Sequence, residues 1–160
     1  MFSTPDLKDK YQRKVFQGFE SMKSFGNRDS FFGQIKTVTC HDDNSKVKEI
    51  LGTNGKGKVL VINSNLITHA AMIGDEIAQK AIDNEWNGIF VAGYVRDVEL
   101  LKQMDLGILA LGSTTTKTNK NNKGFLGEDV IFGGVILCQD SWLYVDKNGW
   151  LVSKEPLEVN

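Results

Sequence analysis

Apolar residues in the middle third of the chain form short blocks that alternate with amphipathic stretches. The blocks are too short for helices and are bounded by glycine or polar residues, so they predict buried β-strands. They are KVLVIN (58–63), GIFVAG (88–93) and GILALG (107–112). Helical spacing predicts one helix between each two successive strands. The core-facing positions are Ile77, Ala78, Ala81 and Ile82 in the first of these helices and Val98, Leu101 and Met104 in the second. Strands separated by helices predict a largely parallel sheet.

The N-terminal third predicts two more helices and one more strand. Ser3 or Thr4, followed by Pro5, is typical of the capped start of a helix. The alternating stretch FFGQIKTVTC (31–40) predicts a strand. The stretch SKVKEIL predicts a short helix that ends at Gly52.

Three further segments complete the predicted fold. NLITHAAM (65–72) predicts a short helical turn that places Ile67, Ala70 and Ala71 inward. The polar stretch STTTKTNKNNKG (113–124) predicts a long, mobile loop with little to bury. Beyond it, short strands and the dipeptide Asn148-Gly149 predict hairpins. These patterns predict one α/β domain over residues 1–160, with mixed sheets.

Composition excludes several classes of protein. With 19 basic and 20 acidic residues, the chain has a net charge of −1, which argues against a dedicated nucleic-acid binder. No apolar stretch is long enough to cross a bilayer, and the first residues lack the layout of a signal peptide. We therefore expect a cytoplasmic protein without membrane contacts. The cysteines, Cys40 and Cys138, lack metal-ligand spacing and are expected to be free.

Charged residues stand beside two of the predicted elements. In a parallel sheet, residues just after a strand meet the N-termini of the crossover helices at one edge. Asp75 begins a predicted helix, and twenty residues separate it from Arg96 and Asp97, which follow the strand GIFVAG. One helix and one strand account for that spacing. We expect these three side chains to lie together.

This predicted edge suits a 2-oxo acid. Free backbone N–H groups at the helix start would bind a carboxylate. They belong to Gly74, Asp75, Glu76 and Ile77. Arg96 offers a cation for a carboxylate or a developing oxyanion, and Asp97 could ligate Mg²⁺, which often needs only one or two protein carboxylates. The alternative is structural: Asp75 caps one helix or interacts with its dipole, and Asp97 caps the next helix.

The stretch GDEIAQKAIDNEWNGIFVAGYVRD resembles the signature of the RraA family, named for the regulator of ribonuclease E activity A. That family also contains metal-dependent 4-hydroxy-4-methyl-2-oxoglutarate aldolases. The resemblance extends over nearly the whole chain, through NGKGKVLVIN, MDLGILALG and the closing LYVDKNGWLVSKEPLEV. It implies an RraA-like swivelling β/β/α domain with mixed sheets, usually assembled as a homotrimer.

The resemblance also implies roles for individual residues. The backbone of 74–77 would hold the pyruvoyl carboxylate, and Arg96 would steady the C2 oxygen as it becomes an enolate. Asp97 would bind a divalent metal cation, Mg²⁺ or Mn²⁺, partly through waters. Asp75 would orient a water that carries a proton to the enolate carbon. The implied activity is retro-aldol cleavage of 4-hydroxy-4-methyl-2-oxoglutarate-type acids to pyruvate, with oxaloacetate decarboxylation.

A second class of function stays open. Regulatory members of the family bind ribonuclease E or an associated helicase and are not catalysts. They generally lack the full set of acid, arginine and aspartate, whereas this chain has Asp75, Arg96 and Asp97. Two other candidates are weaker: His69 is expected at the surface or in packing, and His41 with Asp42 and Asp43 is expected to form a turn rather than a metal site.

Overall fold

A ten-stranded mixed sheet forms the centre of the computed structural model, which describes residues 1–159. The predicted domain end at Asn160 therefore lies just outside the described residues. The helices are α1 (Thr4–Tyr11), α2 (Ser45–Leu51), α3 (Asp75–Asp83) and α4 (Val98–Leu101), with a 3₁₀ turn at Gln12–Lys14. The strands are β1 (Val15–Gln17), β2 (Lys23–Ser24), β3 (Phe31–Thr39), β4 (Lys58–Asn63), β5 (Ala71–Ile73), β6 (Gly88–Val95), β7 (Gly107–Ser113), β8 (Phe125–Leu126), β9 (Val130–Phe132), β10 (Val135–Leu137), β11 (Trp142–Asp146) and β12 (Gly149–Ser153).

The middle of the sheet is parallel, as the alternating pattern predicts. Its order is β1-β12-β11-β3-β4-β6-β7-β2, and the pairs β3–β4, β4–β6 and β6–β7 are all parallel. Antiparallel strands flank this centre, and β11 and β12 form the predicted hairpin, with Asp146 opposite Gly149. A separate hairpin of β9 and β10 lies outside the main sheet. The predicted α/β class with mixed sheets is confirmed.

Alternate residues of the central strands enter two different cores. In β4, Leu60 and Ile62 face the core beneath α2 and α3, whereas Val59 and Val61 face the core that includes β9 and β12. This period of two is the geometric signature of a strand with both faces covered. Trp86 is buried in the first core. Both predicted free cysteines are confirmed as free.

Helix α3 has the predicted amphipathic packing. Ile77, Ala78 and Ala81 are buried, and Ile82 packs against the same core. At the chain's start, Ser3 caps α1 through a hydrogen bond from the Asp6 backbone N–H. Helix α4 is shorter than predicted: it spans one turn, and Val98 is 36% exposed although Leu101 is buried. Beyond it, the N–H groups of Gln103 and Met104 donate to carbonyls three residues back, so the chain continues in tighter turns.

The helical turn predicted for 65–72 is wrong. Asn65 and Leu66 have φ values of 55° and 60°, so a right-handed helix cannot run through them. The segment continues into strand β5, which pairs parallel with the end of β6. Ala70 and Ala71 are nevertheless buried, as predicted. Tertiary pairing with β6 overrides the local helical spacing.

The polar segment 113–124, called the cleft loop below, buries more than predicted. Thr118 is 5% exposed, and its hydroxyl accepts a hydrogen bond from the Asn44 backbone N–H. The Ala71 N–H donates to the Thr116 carbonyl at 2.8 Å. The expectation of little to bury is therefore wrong, because backbone groups of this loop form hydrogen bonds with distant parts of the chain.

None of the helices within residues 1–159 is long and apolar enough to span a bilayer. A cytoplasmic location stays a prediction.

Candidate active site

The C-terminal ends of β5 and β6 lie side by side and define the candidate site. Ile73, the last residue of β5, is in register with Val95, the last residue of β6. The Arg96 backbone N–H donates to the Ile73 carbonyl at 3.1 Å, which holds the two chain segments together beyond the strands. The residues that follow each strand are therefore neighbours. The side chains of Arg96 and Asp97 and the backbone of Asp75 meet at this edge; the predicted place of the Asp75 carboxylate among them stays a prediction.

Asp97 turns its carboxylate toward α3. Its Oδ2 lies 3.4 Å from the Asp75 backbone nitrogen and 3.8 Å from Arg96 Nε. The backbone of Asp97 is in the left-handed region, with φ 59° and ψ 42°, a conformation that aspartate tolerates better than most residues. Although Asp97 directly precedes α4, its side chain makes no capping bond there. Asp97 therefore stands at the N-cap position of α4, as the structural alternative predicts, but its side chain does not cap that helix.

Gly74 makes room for this carboxylate. A β-carbon at position 74 would lie 2.4 Å from Asp97 Oδ2, closer than any van der Waals contact permits. The backbone of Gly74 is extended, with φ −137°, so its conformation alone does not require glycine. The absence of a side chain matters here because it lets a carboxylate approach the start of the helix.

The start of α3 offers three free donors rather than the four predicted. Among residues 1–159, the N–H groups of Gly74, Glu76 and Ile77 donate no hydrogen bond, whereas the Asp75 N–H faces Asp97. Gly74 occupies the N-cap position, so Asp75 is not the cap. As an acid in the first turn, Asp75 is instead placed to interact favourably with the helix dipole, which is the other structural alternative. Unpaired donors and the helix dipole together make this end attractive to an anion.

A cleft of about 380 Å³ opens beside the arginine–aspartate pair. One side consists of Arg96, Asp97 and Val98; the other is formed by the start of the cleft loop, Ser113, Thr114 and Thr115. The side chains of Arg96 and Asp97 are 38% and 34% exposed, so both can reach a ligand from solvent. Sequence reasoning missed Ser113, Thr114 and Thr115 as lining residues. The signal was present, because Ser113 ends β7 at the same sheet edge.

The charged groups fit a metal ion that needs few protein ligands. Within residues 1–159, no group of three or more His, Cys, Asp or Glu side chains could enclose a metal. Asp97 Oδ1, however, accepts no hydrogen bond from the described residues. A single open carboxylate in a solvent-filled cleft matches the preference of Mg²⁺, which retains several waters. The residues present therefore fit Mg²⁺ or Mn²⁺ better than a multi-ligand transition-metal site.

The weaker candidates lie elsewhere. His69 is exposed in the segment before β5 and does not line the cleft. His41, Asp42 and Asp43 form the predicted turn after β3. A larger cavity of about 850 Å³ lies between β10, β11 and residues 154–156, and it contains none of the predicted site residues. The volume of a cavity therefore does not by itself identify the candidate active site.

Comparison with known proteins identifies the family. The model of the RraA-like family, described as Aldolase/RraA, matches residues 4–152. The chain belongs to this family. A relative from Pseudomonas putida is 47% identical over 99% of this chain and 97% of its own length, and one from Vibrio cholerae is 44% identical over 98% and 97%. Both carry the provisional name 4-hydroxy-4-methyl-2-oxoglutarate aldolase.

Two similar solved structures have the same fold as this chain, but their names describe different functions. The RNA-processing inhibitor RraA from Thermus thermophilis superposes with a TM-score of 0.95 at 33% identity, covering 99% of this chain and 96% of that one. A protein from Geobacillus kaustophilus, named as an S-adenosylmethionine:2-dimethylmenaquinone methyltransferase, also gives 0.95, at 31% identity and coverage of 97% and 96%. The RraA-like fold is confirmed.

Replacing Gly74 by alanine should displace the Asp97 carboxylate without unfolding α3. The new methyl group would lie 2.4 Å from Oδ2 and push it away, so the Asp75 N–H loses its acceptor and exchanges faster with solvent, by about tenfold. Amide hydrogen exchange followed by NMR measures this. The Ala78 N–H, which donates to the Gly74 carbonyl at 3.0 Å, is the internal control and should exchange as before. Unchanged exchange at Asp75 would show that the contact is absent in solution.

Proposed function

We propose that this protein is a divalent-metal-dependent lyase that cleaves 4-hydroxy-4-methyl-2-oxoglutarate-type acids to pyruvate and also decarboxylates oxaloacetate. The observation that carries the proposal is the approach of the Asp97 carboxylate to Gly74 and Asp75, with Arg96 alongside. The names of relatives at 40–47% identity support the aldolase assignment. The metal requirement and the decarboxylation are inferences from the chemistry of the cleft.

Binding of the substrate would use the start of α3 and Arg96. The free N–H groups of Gly74, Glu76 and Ile77 suit the carboxylate next to the 2-oxo group. Arg96 lies beside the same helix end, with its Cγ 3.4 Å from the place of a β-carbon at Gly74, so its guanidinium could face the C2 oxygen. Two fixed anchors orient the substrate before any bond changes.

Cleavage would then transfer negative charge from the C4 hydroxyl to the C2 oxygen. The C4 hydroxyl loses its proton to a water oriented by Asp75, the C3–C4 bond breaks, and C4 becomes the ketone of one pyruvate. The bonding electrons pass to C3 and the C2 oxygen as an enolate, whose charge Arg96 stabilises. The same water returns the proton to C3 and gives the second pyruvate. With oxaloacetate, CO₂ leaves instead, and the identical enolate is protonated.

Asp97 is the residue that would hold Mg²⁺ or Mn²⁺. When bound, the ion supplies positive charge that favours the enolate over the ketone. The remaining steps are performed by the chain itself: α3 binds the carboxylate, Arg96 neutralises the oxyanion, and Asp75 positions the proton carrier.

Asp97→Asn should abolish metal-dependent turnover. The amide removes the charge that binds the cation, and we expect pyruvate release from both substrates to fall by at least about 100-fold. Release is measured with a lactate dehydrogenase assay, with Mg²⁺ and with EDTA. EDTA should lower pyruvate release by the parent protein as far as the substitution does.

Asp83→Asn is the matched control. It makes the same chemical change on the exposed far end of α3, where the Asp83 carboxylate accepts a hydrogen bond from Gln79. This variant should release pyruvate at the parent rate. If Asp97→Asn is as fast as the parent, or if EDTA has no effect on the parent, the proposed lyase is wrong.

A second candidate function is regulation of ribonuclease E by direct binding. It is favoured by the similar structure named as an RNA-processing inhibitor, and it would not use the cleft. In this case, binding to immobilised ribonuclease E or to its associated helicase should occur at micromolar protein and be equal for the parent and Asp97→Asn. Absence of binding at that concentration would contradict this candidate.

We also propose that the chain assembles as a homotrimer. Apolar side chains at the surface support association: Ile131 and Ile136 face each other across the β9–β10 hairpin and are 80% and 54% exposed. Phe125 on β8 is 65% exposed. Surfaces of this kind commonly mark interfaces. Sedimentation equilibrium should give the mass of three chains, and a monomer mass at micromolar concentration would contradict the assembly.

A further inference from the structure

We propose that α1 and the segment 154–159 form a clasp whose two halves open together while the rest of the sheet stays folded. The segment 154–159 is called the closing segment below. No residue of either half lines the cleft beside Arg96 and Asp97. The inference therefore goes beyond the proposed lyase function and does not depend on it.

The two halves leave the sheet at the same place. Val15 is the first residue of β1 and Ser153 is the last residue of β12, and the two are directly opposite each other in the antiparallel pair. On one side of this pair the chain runs back into α1, and on the other it runs forward into the closing segment. Both halves can therefore move without breaking the pairing of β1 with β12.

A third, small hydrophobic core lies between the clasp and the sheet. Its buried residues are Leu7 of α1, Tyr144 of β11 and Leu151 of β12. Partly buried residues complete it: Phe2, Tyr11, Phe32, Trp142, Leu157 and Val159. The two larger cores contain no residue of α1 or of the closing segment. Parts of a fold with few buried apolar residues open at a lower free energy than the rest.

Tyr144 contacts both halves of the clasp. Its side chain is fully buried, and its ring lies 5.6 Å from the ring of Phe32 and 6.0 Å from that of Phe2, which precedes α1. Its hydroxyl accepts the backbone N–H of Leu157 in the closing segment at 2.8 Å. One side chain of the sheet thus supports the two halves at once.

The two halves also contact each other directly. The hydroxyl of Tyr11, the last residue of α1, accepts the backbone N–H of Glu158 at 3.1 Å. Lys10 Nζ lies 3.6 Å from Glu158 Oε2, but both side chains are largely exposed, so this ion pair contributes little. The hydrogen bond to Tyr11 can form only while α1 and the closing segment are both in place.

The start of α1 is tied to β11 by a carboxylate. The backbone N–H and the hydroxyl of Thr4 donate to the two carboxylate oxygens of Asp146, each at 2.7 Å. Burial raises the pKa of Asp146, but hydrogen bonds from Thr4 and Asn148 outweigh it and hold the pKa below its ordinary value. Asp146 is therefore ionised at neutral pH and favours the positive end of the helix dipole.

Opening of the clasp would uncover an apolar face of the sheet. Tyr144 and Leu151 are 0% and 3% exposed in the closed form, and Phe32 packs beside them. The root of the closing segment stays fixed, because the Ser153 hydroxyl donates to the Glu155 carbonyl at 2.7 Å. The hinge of this half therefore lies beyond Glu155.

Tyr144→Phe tests whether the halves open together. It removes the acceptor of the Leu157 N–H and keeps the ring that packs on Phe2 and Phe32. The Leu7 and Gln12 N–H groups donate to the Ser3 and Lys8 carbonyls, which the hydroxyl does not touch. These two amides should nevertheless exchange about fivefold faster, as expected for the loss of one hydrogen bond from a cooperative unit. Amide hydrogen exchange followed by NMR on the intact protein measures this.

Thr4→Val makes the reciprocal test from the other half. It removes the hydroxyl donor to Asp146 and leaves the backbone donor of Thr4 in place. Coupling between two parts of a protein is reciprocal. The amides of Leu157 and Glu158 should therefore exchange faster by a similar factor, although their own acceptors are unchanged.

Tyr94→Phe is the matched control. It makes the same chemical change in β6, outside the third core, and the exchange of Leu7 and Gln12 should stay at the parent rate. The amides of β4 should exchange as in the parent in every variant, because the sheet stays folded. Unchanged exchange at Leu7 and Gln12 in Tyr144→Phe would show that the halves open separately and would overturn the clasp. Equal acceleration in β4 would also overturn it, because the whole fold would then be opening.

Discussion

The parallel pairing of β5 with the end of β6 positions every residue of the candidate site. It ends two chain segments at the same point of the sheet edge, so that the start of α3 and the Arg96–Asp97 pair become neighbours. The left-handed backbone of Asp97 then turns its carboxylate back over Gly74. Such a conformation costs on the order of 1 kcal/mol for a residue other than glycine. The contact with the Asp75 N–H offsets part of that cost and directs the open oxygen to the cleft.

Local pattern was sufficient to predict the framework. The apolar runs of β4, β6 and β7 and the spacing of Ile77, Ala78 and Ala81 follow from burial on two faces of a parallel sheet. The meeting of Asp75 with Arg96 and Asp97 followed from topology alone, since strand ends and helix starts share one edge. Resemblance to the family then gave these residues roles that topology does not supply.

The errors arose where distant segments decide the structure. Residues 65–72 have helical spacing, but pairing with β6 and the positive φ values of Asn65 and Leu66 make them an irregular connection into a strand. The composition of 113–124 indicated a loop with little to bury, yet Thr118 is buried and Asp43 accepts two of the loop's N–H groups from 78 and 80 residues away. No local periodicity reports such contacts, because their partners are separated in sequence.

Similar proteins with this one fold carry different names, from aldolase to RNA-processing inhibitor. Only the residues of the site can discriminate between these functions.

A crystal structure with Mn²⁺ and pyruvate tests the central claim most directly, because the anomalous signal of manganese locates the ion independently of the ligand. The structure predicts an anomalous peak beside the Asp97 carboxylate and pyruvate density between Arg96 and the start of α3. Manganese bound at another place, or pyruvate bound away from Gly74, would contradict the assignment of this sheet edge as the active site.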